Sequence, residues 1–597
     1  ALPAPGHMGG SGGRAPATPV EEVLCGLFAE VLGRDQVGVE ESFFELGGDS
    51  IMSMLLVSGA RRAGLVVTAR QVFERQTPAA LAAVAGAVGD GVALGGGDSG
   101  VGEVPLTPVM RELLERAGPD RLGQVSQSML VVTPAGLNVA ILTDAVQALV
   151  DHHDILRARL EPVDQEWRLV VPETAAVAPW VHQVQASVGD LKQLVDEQTR
   201  SAVSRLDPQA GVMAQAVWFD TGPDTPGRLL LIIDHLVVDA VSLRILLPDL
   251  MRAYTELAAG RPAALEPVPT SFRQWARALS AQAGSEERLA ELPEWIQLLQ
   301  GLDPALTARP PHPSRDVGAT MRKASVRVPT ATTTTLLTTI PAAFHAGIDD
   351  ILLTALVLAT AEWGRRRGET AGDGILIDVE GHGRIPSAEG VDLSRTVGWF
   401  TSAHPVRLDP GTTDFSEVRA GGPAAGGAVK RIKEQLRAVP GDGLGYGLLR
   451  YLNPETAPTL AALPTAQIGF NYLGRFATEK AVQRAQKDWT PASEGGSGGG
   501  LDGEIPMAHA LEAVGVVHDS AAGPQLTLTL AWPGHLLDKE AVQDLVDGWA
   551  AMLNGVATHT TAAGSGGHTP SDFSLITLDQ SQIDALENEL ADRGGAR

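Results

Sequence analysis

The sequence predicts a small all-α four-helix bundle followed by a much larger α/β region. Apolar residues recur at helical spacing through residues 18–86, which indicates packed amphipathic helices. A glycine-rich stretch at 87–103 cannot bury apolar surface and is expected to be a mobile linker. Beyond residue 104, apolar strand-like runs alternate with helical patterns, which is typical of α/β architecture. With 597 residues, the chain is too long for one hydrophobic core.

Capping signals mark the helices of the predicted bundle. The run Thr18-Pro19-Val20-Glu21 is a capping box with proline at the first helical position. A second helix is expected from Ile51 to Ala63, and Thr68 can cap a short third helix. Thr77-Pro78 starts the last helix, so four helices fit within about seventy residues.

A serine opens the second of these helices. The segment Phe43-Phe44-Glu45-Leu46-Gly47-Gly48-Asp49-Ser50 combines a tight Gly-Gly turn with Asp49, which can cap the helix. Ser50 then lies at a helix N-terminus, where a bonded phosphate is favoured. A helix-capping serine with no further role is the simplest interpretation of the eight residues, but the surrounding bundle favours an attachment point.

Strands and helices can be placed along the large region. Strands are expected at 128–132, 228–233, 374–379, 467–471, 514–517 and 525–531, and helices at 140–149 and 241–254. A further helix near 271–279 is expected to join two lobes. No internal repeat is evident.

The amino-acid composition argues against several classes of function. Lysine and arginine number 46 against 71 aspartate and glutamate residues, and this net charge of −25 argues against binding nucleic acid or an anionic membrane. The single cysteine, Cys25, excludes an intrachain disulfide and any cysteine-rich metal site. Neither a signal peptide nor a membrane-spanning run is recognised, so a soluble cytoplasmic protein without a metal is expected.

Two segments of the large region carry residues suited to proton transfer. Asp234-His235-Leu236-Val237-Val238-Asp239-Ala240 follows an apolar strand, and a histidine there can act as a general acid or base or donate to an oxyanion. A histidine satisfied within a turn is the plain alternative. Glu380 ends another predicted strand, and its plain alternative is a solvated loop glutamate.

Further motifs, taken together, resemble one family. Segments 234–240, 380–384, 395–401, 443–451 and 470–474 match the HHxxxDG, EGHGR, RTVGWFT, GxGYGxLRY and FNYLG motifs of epimerization domains. The chain thus resembles a carrier–epimerization didomain of nonribosomal peptide synthetases. The resemblance implies a two-lobed, chloramphenicol-acetyltransferase-like α/β fold after the bundle. The expected division is a linker from an upstream adenylation domain at 1–17, the carrier at 18–86, the linker at 87–103, lobes at 104–275 and 276–568, and a tail at 569–597.

The resemblance also implies roles for individual residues. Ser50 would carry 4'-phosphopantetheine, and the catalytic candidates are His235, Glu380, Asn471 and Tyr472. Supporting roles are expected for Asp234, Asp239, Asp249 and Arg395, the last either holding Glu380 in place or forming a structural ion pair.

Two residues depart from the family pattern. Asp234 replaces the usual first histidine, and Ala240 replaces a glycine, which would strain the turn if a positive φ were required there.

The expected reaction is epimerization of an L-aminoacyl or peptidyl thioester to an L/D mixture, by proton transfer between His235 and Glu380. Which of the two removes the first proton is left open. The alternatives are a condensation-type acyltransferase and a degenerate domain that only binds carriers. Expected partners are an adenylation domain, a phosphopantetheinyl transferase and a downstream condensation domain. The condensation domain would dock through the tail. An apolar stripe on the tail is formed by Ile583, Leu586 and Leu590, and it could equally serve to pack the tail on its own domain.

Overall fold

The structure is a computed structural model of the chain. It describes residues 14–594 except 33, 35, 45, 47, 49, 69–70, 73–74, 88–98, 120, 122–124, 164–165, 175–179, 188, 369–371, 386–390, 477–487, 493, 495–499, 502, 521, 563–564 and 574–577. The predicted N-terminal linker, the cap Asp49 and much of the glycine-rich linker lie outside these residues.

The N-terminal unit is the helical bundle that the sequence predicts. Its bounded elements are α1 (Pro19–Leu32), α2 (Ser50–Arg62), β1 (Leu65–Val66), α3 (Pro78–Ala82) and β2 (Gly86–Ala87). Between α2 and α3, Gln71 and Val72 are helical, in agreement with the predicted short helix. Leu24, Phe28 and Phe43 are fully buried in its core. The antiparallel pair β1–β2, which closes the unit, was not expected.

The first lobe begins inside the predicted linker. Its elements are β3 (Gly102–Val104), α4 (Pro108–Ala117), β4 (Val125–Ala135), α5 (Val139–His152), β5 (Arg159–Val163), β6 (Glu166–Val171), β7 (Val181–Gln185), α6 (Leu191–Val203), β8 (Ala214–Asp220), β9 (Pro226–Asp234), α7 (Ala240–Ala258) and α8 (Phe272–Gln282). Short 3₁₀ turns occupy Asp154–Arg157 and His235–Val237. The predicted linker therefore ends before β3, which pairs with β6.

The second lobe contains the remaining elements. These are α9 (Glu286–Ala290), α10 (Leu292–Leu299), β10 (Met321–Arg327), α11 (Thr330–Leu337), α12 (Thr339–Phe344), α13 (Ile348–Arg366), β11 (Ile375–Gly381), β12 (Ser402–Leu408), α14 (Phe415–Arg419), α15 (Pro423–Arg437), α16 (Leu444–Gly447), α17 (Ala457–Ala461), β13 (Ile468–Phe476), β14 (Gly500–Leu501), β15 (Leu511–Ser520), β16 (Gly523–Pro533), α18 (Lys539–His559) and α19 (Gln580–Gly594). A π-helical turn covers Leu448–Leu452, and 3₁₀ turns cover Gly318–Thr320 and Pro570–Asp572.

Each lobe is built on its own sheet. In the first lobe the order is β14-β4-β9-β8-β7, with a smaller sheet β3-β6-β5. In the second lobe the order is β10-β16-β15-β13-β11-β12, in which β11, β13 and β15 run parallel. Helices α13 and α18 cover one face of this sheet, where Phe470 packs on Trp549. The two-lobed α/β prediction is confirmed.

Two segments of the second lobe's chain pack on the first lobe. β14 adds to the edge of β4, and the segment before it hydrogen-bonds to the same strand, with the Val132 N–H donating to the Thr490 carbonyl over 2.8 Å. Val397, Trp399 and Phe400 enter the core of the first lobe. These crossings hold the lobes together, and the predicted boundary at residue 275 does not separate the lobes cleanly.

The C-terminal tail packs on the second lobe. Buried Lys433 donates to the Asp572 carboxylate over 2.6 and 2.7 Å, and Lys430 donates to Asp584 over 3.0 Å. Ile583 is only 2% exposed, whereas Leu586 is 49% exposed. The described part of the tail is therefore docked on its own domain. Leu590's side chain lies outside the described residues.

Among the described helices, none alone is both long enough and apolar enough to cross a membrane. Thr330–Phe344 and Ile348–Arg366 meet the length and composition criteria only as a pair, which is bent by 101°.

Candidate functional site

The predicted attachment serine begins α2. The turn before it needs glycine at Gly48, because a Cβ there would overlap the ring and carbonyl of Phe43, whose oxygen accepts the Gly48 N–H over 2.9 Å. Ser50 is the first residue of the 13-residue helix, and no acidic side chain lies in the first turn. A phosphate on this serine would meet the positive end of the helix dipole, so the position fits a phosphopantetheine.

The predicted histidine lies in a tight loop between β9 and α7. Asp234 ends β9, and its Oδ1 accepts the Leu236 N–H over 2.9 Å, which caps the 3₁₀ turn of His235. Asp239 caps α7 by accepting the Ser242 N–H over 2.7 Å. Ala240 is helical, so the substitution for glycine brings no strain. Burial raises the pKa of fully buried Asp234 to about 8, which leaves its carboxyl largely protonated at neutral pH.

His235 is held between the two lobes. The side-chain amide nitrogen of Gln127, on β4, lies 2.7 Å from His235 Nε2. Because an amide nitrogen donates, Nε2 is the acceptor, and the neutral ring carries its proton on Nδ1. On the other side the ring packs on Trp399, with centroids 4.3 Å apart. Burial lowers the pKa of His235, which favours the neutral ring.

Glu380 lies near the end of β11, on the face of the sheet away from α13 and α18. Val379 packs against the helix-covered core, and strand alternation therefore turns Glu380 the other way. The Asn471 amide on the parallel strand β13 donates to Glu380 Oε2. Solvent reaches the side chain although protein surrounds it, as for a residue lining a channel. Burial, followed by the charge of Glu512, raises the pKa of Glu380 to about 7.

Three charged residues that sequence reasoning missed lie beside Glu380. His509 contacts Asp378 Oδ2 through Nε2 over 2.9 Å, and Glu512 Oε1 through Nδ1 over 3.0 Å. Asp378 precedes Glu380 by two residues and so shares its face of β11. The alternation Asp378-Val379-Glu380 was a visible signal, but nothing local in the sequence links His509 to Asp378.

Tyr472 does not join Asn471 at the same place. Adjacent strand residues point to opposite faces, and Tyr472 packs against the hydrophobic core under α13, next to Gly515. The Tyr472 side chain therefore lies on the face opposite Asn471, and its expected catalytic role stays a prediction.

Arg395 pairs with Asp249 and not with Glu380. One guanidinium nitrogen of Arg395 lies 2.6 and 2.5 Å from the two Asp249 oxygens. His153, 2% exposed, contacts Asp249 Oδ2 over 2.8 Å from the opposite side. Of the two roles expected for Arg395, the structural ion pair is the one observed, and Asp249 belongs to the same buried cluster.

Arg384 ties the Glu380 segment to the histidine loop. It is 3% exposed and donates over 2.8 Å to both Asp239 Oδ1 and Ser242 Oγ. It also donates to the carbonyls of Leu393 and Thr396, over 3.2 and 2.6 Å. The guanidinium thus joins the end of β11, the 391–400 segment and the start of α7.

The neighbours of Arg384 shape its loop. His382 Nδ1 accepts the Arg384 N–H over 3.1 Å, as expected of a loop-shaping histidine. Gly383 has φ of +62°, and a Cβ there would overlap the Phe400 carbonyl, so only glycine fits.

His235 and Glu380 lie on different lobes and do not touch each other. The strongest electrostatic influences on Glu380 come from Glu512, His509 and Glu112, and the charge that acts on His235 is that of Asp239. A substrate would have to enter between them to contact both. Among the described residues, no group of three or more His, Cys, Asp or Glu side chains could hold a metal ion.

Comparisons with known proteins agree with this division of the chain. Residues 113–574 match the family described as "Condensation domain", and residues 22–85 match "Phosphopantetheine attachment site". The chain belongs to the condensation-domain family. Its phosphopantetheine attachment domain precedes the condensation-family domain, so the unit is of the nonribosomal peptide synthetase type, with covalently attached 4'-phosphopantetheine as its cofactor.

Individual relatives give the same picture. The chain is 35% identical over 578 residues to one of the linear gramicidin synthase proteins of Brevibacillus parabrevis, covering 96% of this chain and 7% of that protein. It is 37% identical over 604 residues to chondramide synthase cmdD of Chondromyces crocatus, covering 97% of this chain and 14% of that protein. The chain therefore spans only a small part of these relatives.

A solved structure resembles the condensation-family domain. The epimerization domain from the third module of tyrocidine synthetase B superposes with a TM-score of 0.63 at 27% identity, covering 78% of this chain and 98% of that one.

Replacing Arg384 with methionine should destabilise the condensation-family domain strongly. The change leaves Asp239 as a buried carboxylate without its guanidinium, a loss typically worth about 3–5 kcal/mol. Chemical denaturation should report it as a lower free energy of unfolding. The matched control is Arg327→Met at an exposed arginine, which should stay within about 0.5 kcal/mol of the wild type. Equal stability of the two variants would contradict the assigned role of Arg384.

Proposed function

We propose that this chain epimerizes an L-aminoacyl or peptidyl thioester at its α-carbon while the substrate is tethered to Ser50. The observation that carries the proposal is Glu380, a solvent-accessible carboxyl restrained by Asn471, with a pKa of about 7. A group that titrates near the working pH is suited to both accept and return a proton. Peptide-bond formation does not require such a carboxyl, whereas inversion of a carbon centre requires a proton-transfer group on each face.

The two groups, together with protons from water, account for every proton that the proposed reaction moves. When bound to Ser50, the phosphopantetheine thiol would hold the substrate as a thioester, whose carbonyl makes the α-proton more acidic. One of His235 and Glu380 takes that proton as the Cα–H bond breaks, and the electron pair is delocalised toward the carbonyl oxygen. The other group returns a proton to the opposite face. No oxidant or further reactant is needed.

Burial prepares the pair for this exchange. It favours neutral His235 and protonated Glu380, so together the two groups hold one proton. In the reverse direction the pair also holds one proton in total, but His235 carries it. Either group can therefore act first, and the total number of protons on the pair is the same in both directions.

The proposal extends to partners. An adenylation domain would load the arm, and a phosphopantetheinyl transferase would attach it to Ser50. A downstream condensation domain would receive the D-configured product. Exposed Leu586 on α19 is the part of the tail available for such docking, while buried Ile583 anchors the helix.

Two rival functions predict different products. A condensation-type acyltransferase would use His235 to join the tethered substrate to a second aminoacyl carrier, giving a dipeptide. A domain that only recruits carriers would give neither dipeptide nor D-product. Offering the loaded chain an acceptor aminoacyl carrier, and following dipeptide and D-product in the same reaction, separates all three.

Ser50→Ala should prevent loading and leave the condensation-family domain folded. The variant lacks the hydroxyl to which the phosphopantetheine would be attached. Intact-protein mass spectrometry after incubation with a phosphopantetheinyl transferase and coenzyme A measures the added mass. Ser53→Ala, in the same helix, is the control and should still be modified. Modification of the Ser50 variant would move the attachment point elsewhere.

Glu380→Gln should abolish epimerization without affecting loading, because an amide neither accepts nor donates a proton in this pH range. His235→Ala should lower the rate by about 10²–10⁴-fold, the usual contribution of general acid–base catalysis. Release of label from an L-substrate deuterated at the α-carbon, together with chiral analysis of the hydrolysed product, measures both effects. Full exchange in the Glu380 variant would remove this residue from the reaction.

The exchange rate should follow a bell-shaped pH profile. Above pH about 7 Glu380 loses its proton and the pair no longer holds one, so the rate falls. On the acid side the rate falls as His235 gains a proton, with a midpoint below its ordinary pKa of 6.5. Single-turnover label exchange on pre-loaded protein across this range gives the profile. A rate that keeps rising above pH 7 would contradict the one-proton pair.

A further inference from the structure

A half-buried charge cluster lies beside Glu380 and has no part in the proposed proton transfer between His235 and Glu380. The His509 ring bridges the carboxylates of Asp378 and Glu512, at 2.9 and 3.0 Å. The two carboxylates raise the pKa of His509 well above its ordinary value, overcoming the opposing effect of burial. The histidine is therefore a cation at neutral pH, and its contact with Glu512 lowers the pKa of that carboxyl.

Strand register places this cluster one step behind Glu380. Asp378, Gly469 and Glu512 are direct neighbours across β11, β13 and β15. Glu380 and Asn471 follow two residues later on the same face. Gly469 leaves room for the imidazole, because a Cβ there would lie 2.6 Å from His509 Nδ1. The sheet thus carries a row of charged side chains next to Glu380 and Asn471.

Other titratable groups near the cluster come from the first lobe and from α16. Glu112 on α4 also raises the pKa of Glu380, and Arg116 on the same helix acts on Glu512. Arg116 is itself anchored, donating to the Pro506 carbonyl over 2.5 Å. Tyr446 on α16 lies near Asp378 and Glu112, and burial together with their charges raises its pKa. Glu512 has the largest effect of these charges on Glu380, and His509 opposes it.

We propose that Glu512 and His509 are positioning residues, whose opposite charges set the pH range in which Glu380 holds a proton for transfer. The inference rests on the proposed epimerization. Neither residue touches the substrate in this role. Glu512 favours the protonated form of Glu380, and the His509 imidazolium limits that effect and keeps the Glu512 carboxylate in place.

The test is the alkaline limb of the pH profile for label exchange, measured on the loaded full-length chain. Glu512→Gln removes the negative charge and retains a similar shape, so Glu380 should lose its proton more easily. The midpoint of the limb should fall by about one pH unit. Glu512→Asp keeps the charge and should keep the midpoint close to that of the wild type. A merely structural role would lower the rate of both variants without separating their midpoints.

His509→Gln tests the opposite sign. Loss of the cation leaves two carboxylates near Glu380, so the midpoint should move to higher pH. Glu540→Gln, at an exposed position in α18 on the covered side of the sheet, is the control and should leave the profile unchanged. The His509 variant also tests the proposal if Glu512→Gln does not fold.

The outcomes separate this inference from the proposed function. Wild-type protein that shows no label exchange would refute the epimerization itself. Wild-type exchange, with unmoved midpoints in both charge variants or a shift in the same direction, would overturn only the role of Glu512 and His509.

Discussion

The buried ion pair between Arg384 and Asp239 is the contact on which the geometry of the site depends. Asp239 starts α7 and thereby fixes the loop that carries His235, while Arg384 follows directly on the strand that carries Glu380. A charge this deeply buried is tolerated only when all of its partners are present. The guanidinium finds them at the start of α7 and in the 391–400 segment, so these two segments and the end of β11 can reach their final positions only together. The two candidate proton-transfer groups are consequently placed by one shared interaction, although they belong to different lobes.

Two segments of the second lobe's chain join it to the first lobe. β14 and the segment containing Trp399 pack on the first lobe, and both belong to the chain of the second. Between these crossings Glu380 remains accessible to solvent. A carboxyl in such a place is partly desolvated and still reachable by a tethered substrate. This combination explains how the same residue can titrate near neutral pH and be approached from outside.

The sequence predicted those elements correctly whose pattern of residues lies within one continuous segment. The strands around His235 and Glu380 follow from apolar runs, and Ser50 follows from its turn and the helix after it. It failed where the answer depends on which strand lies next to which. Tyr472 was expected beside Asn471 because both belong to the FNYLG motif, yet strand alternation turns their side chains to opposite faces. The partner of Arg395 and the contact between His509 and Asp378 depend on tertiary structure, so no local pattern could reveal them.

Each of the two candidate proton-transfer groups is held by a carboxamide: Gln127 contacts His235, and Asn471 donates to Glu380. A carboxamide offers hydrogen bonds but does not ionise anywhere near neutral pH. It therefore restrains its neighbour without competing for the proton in transit. A carboxylate or an imidazole in the same place would offer that proton a second resting position. In the proposed epimerization, a proton removed from carbon would therefore remain on the group that took it until it is exchanged with water or returned to the substrate.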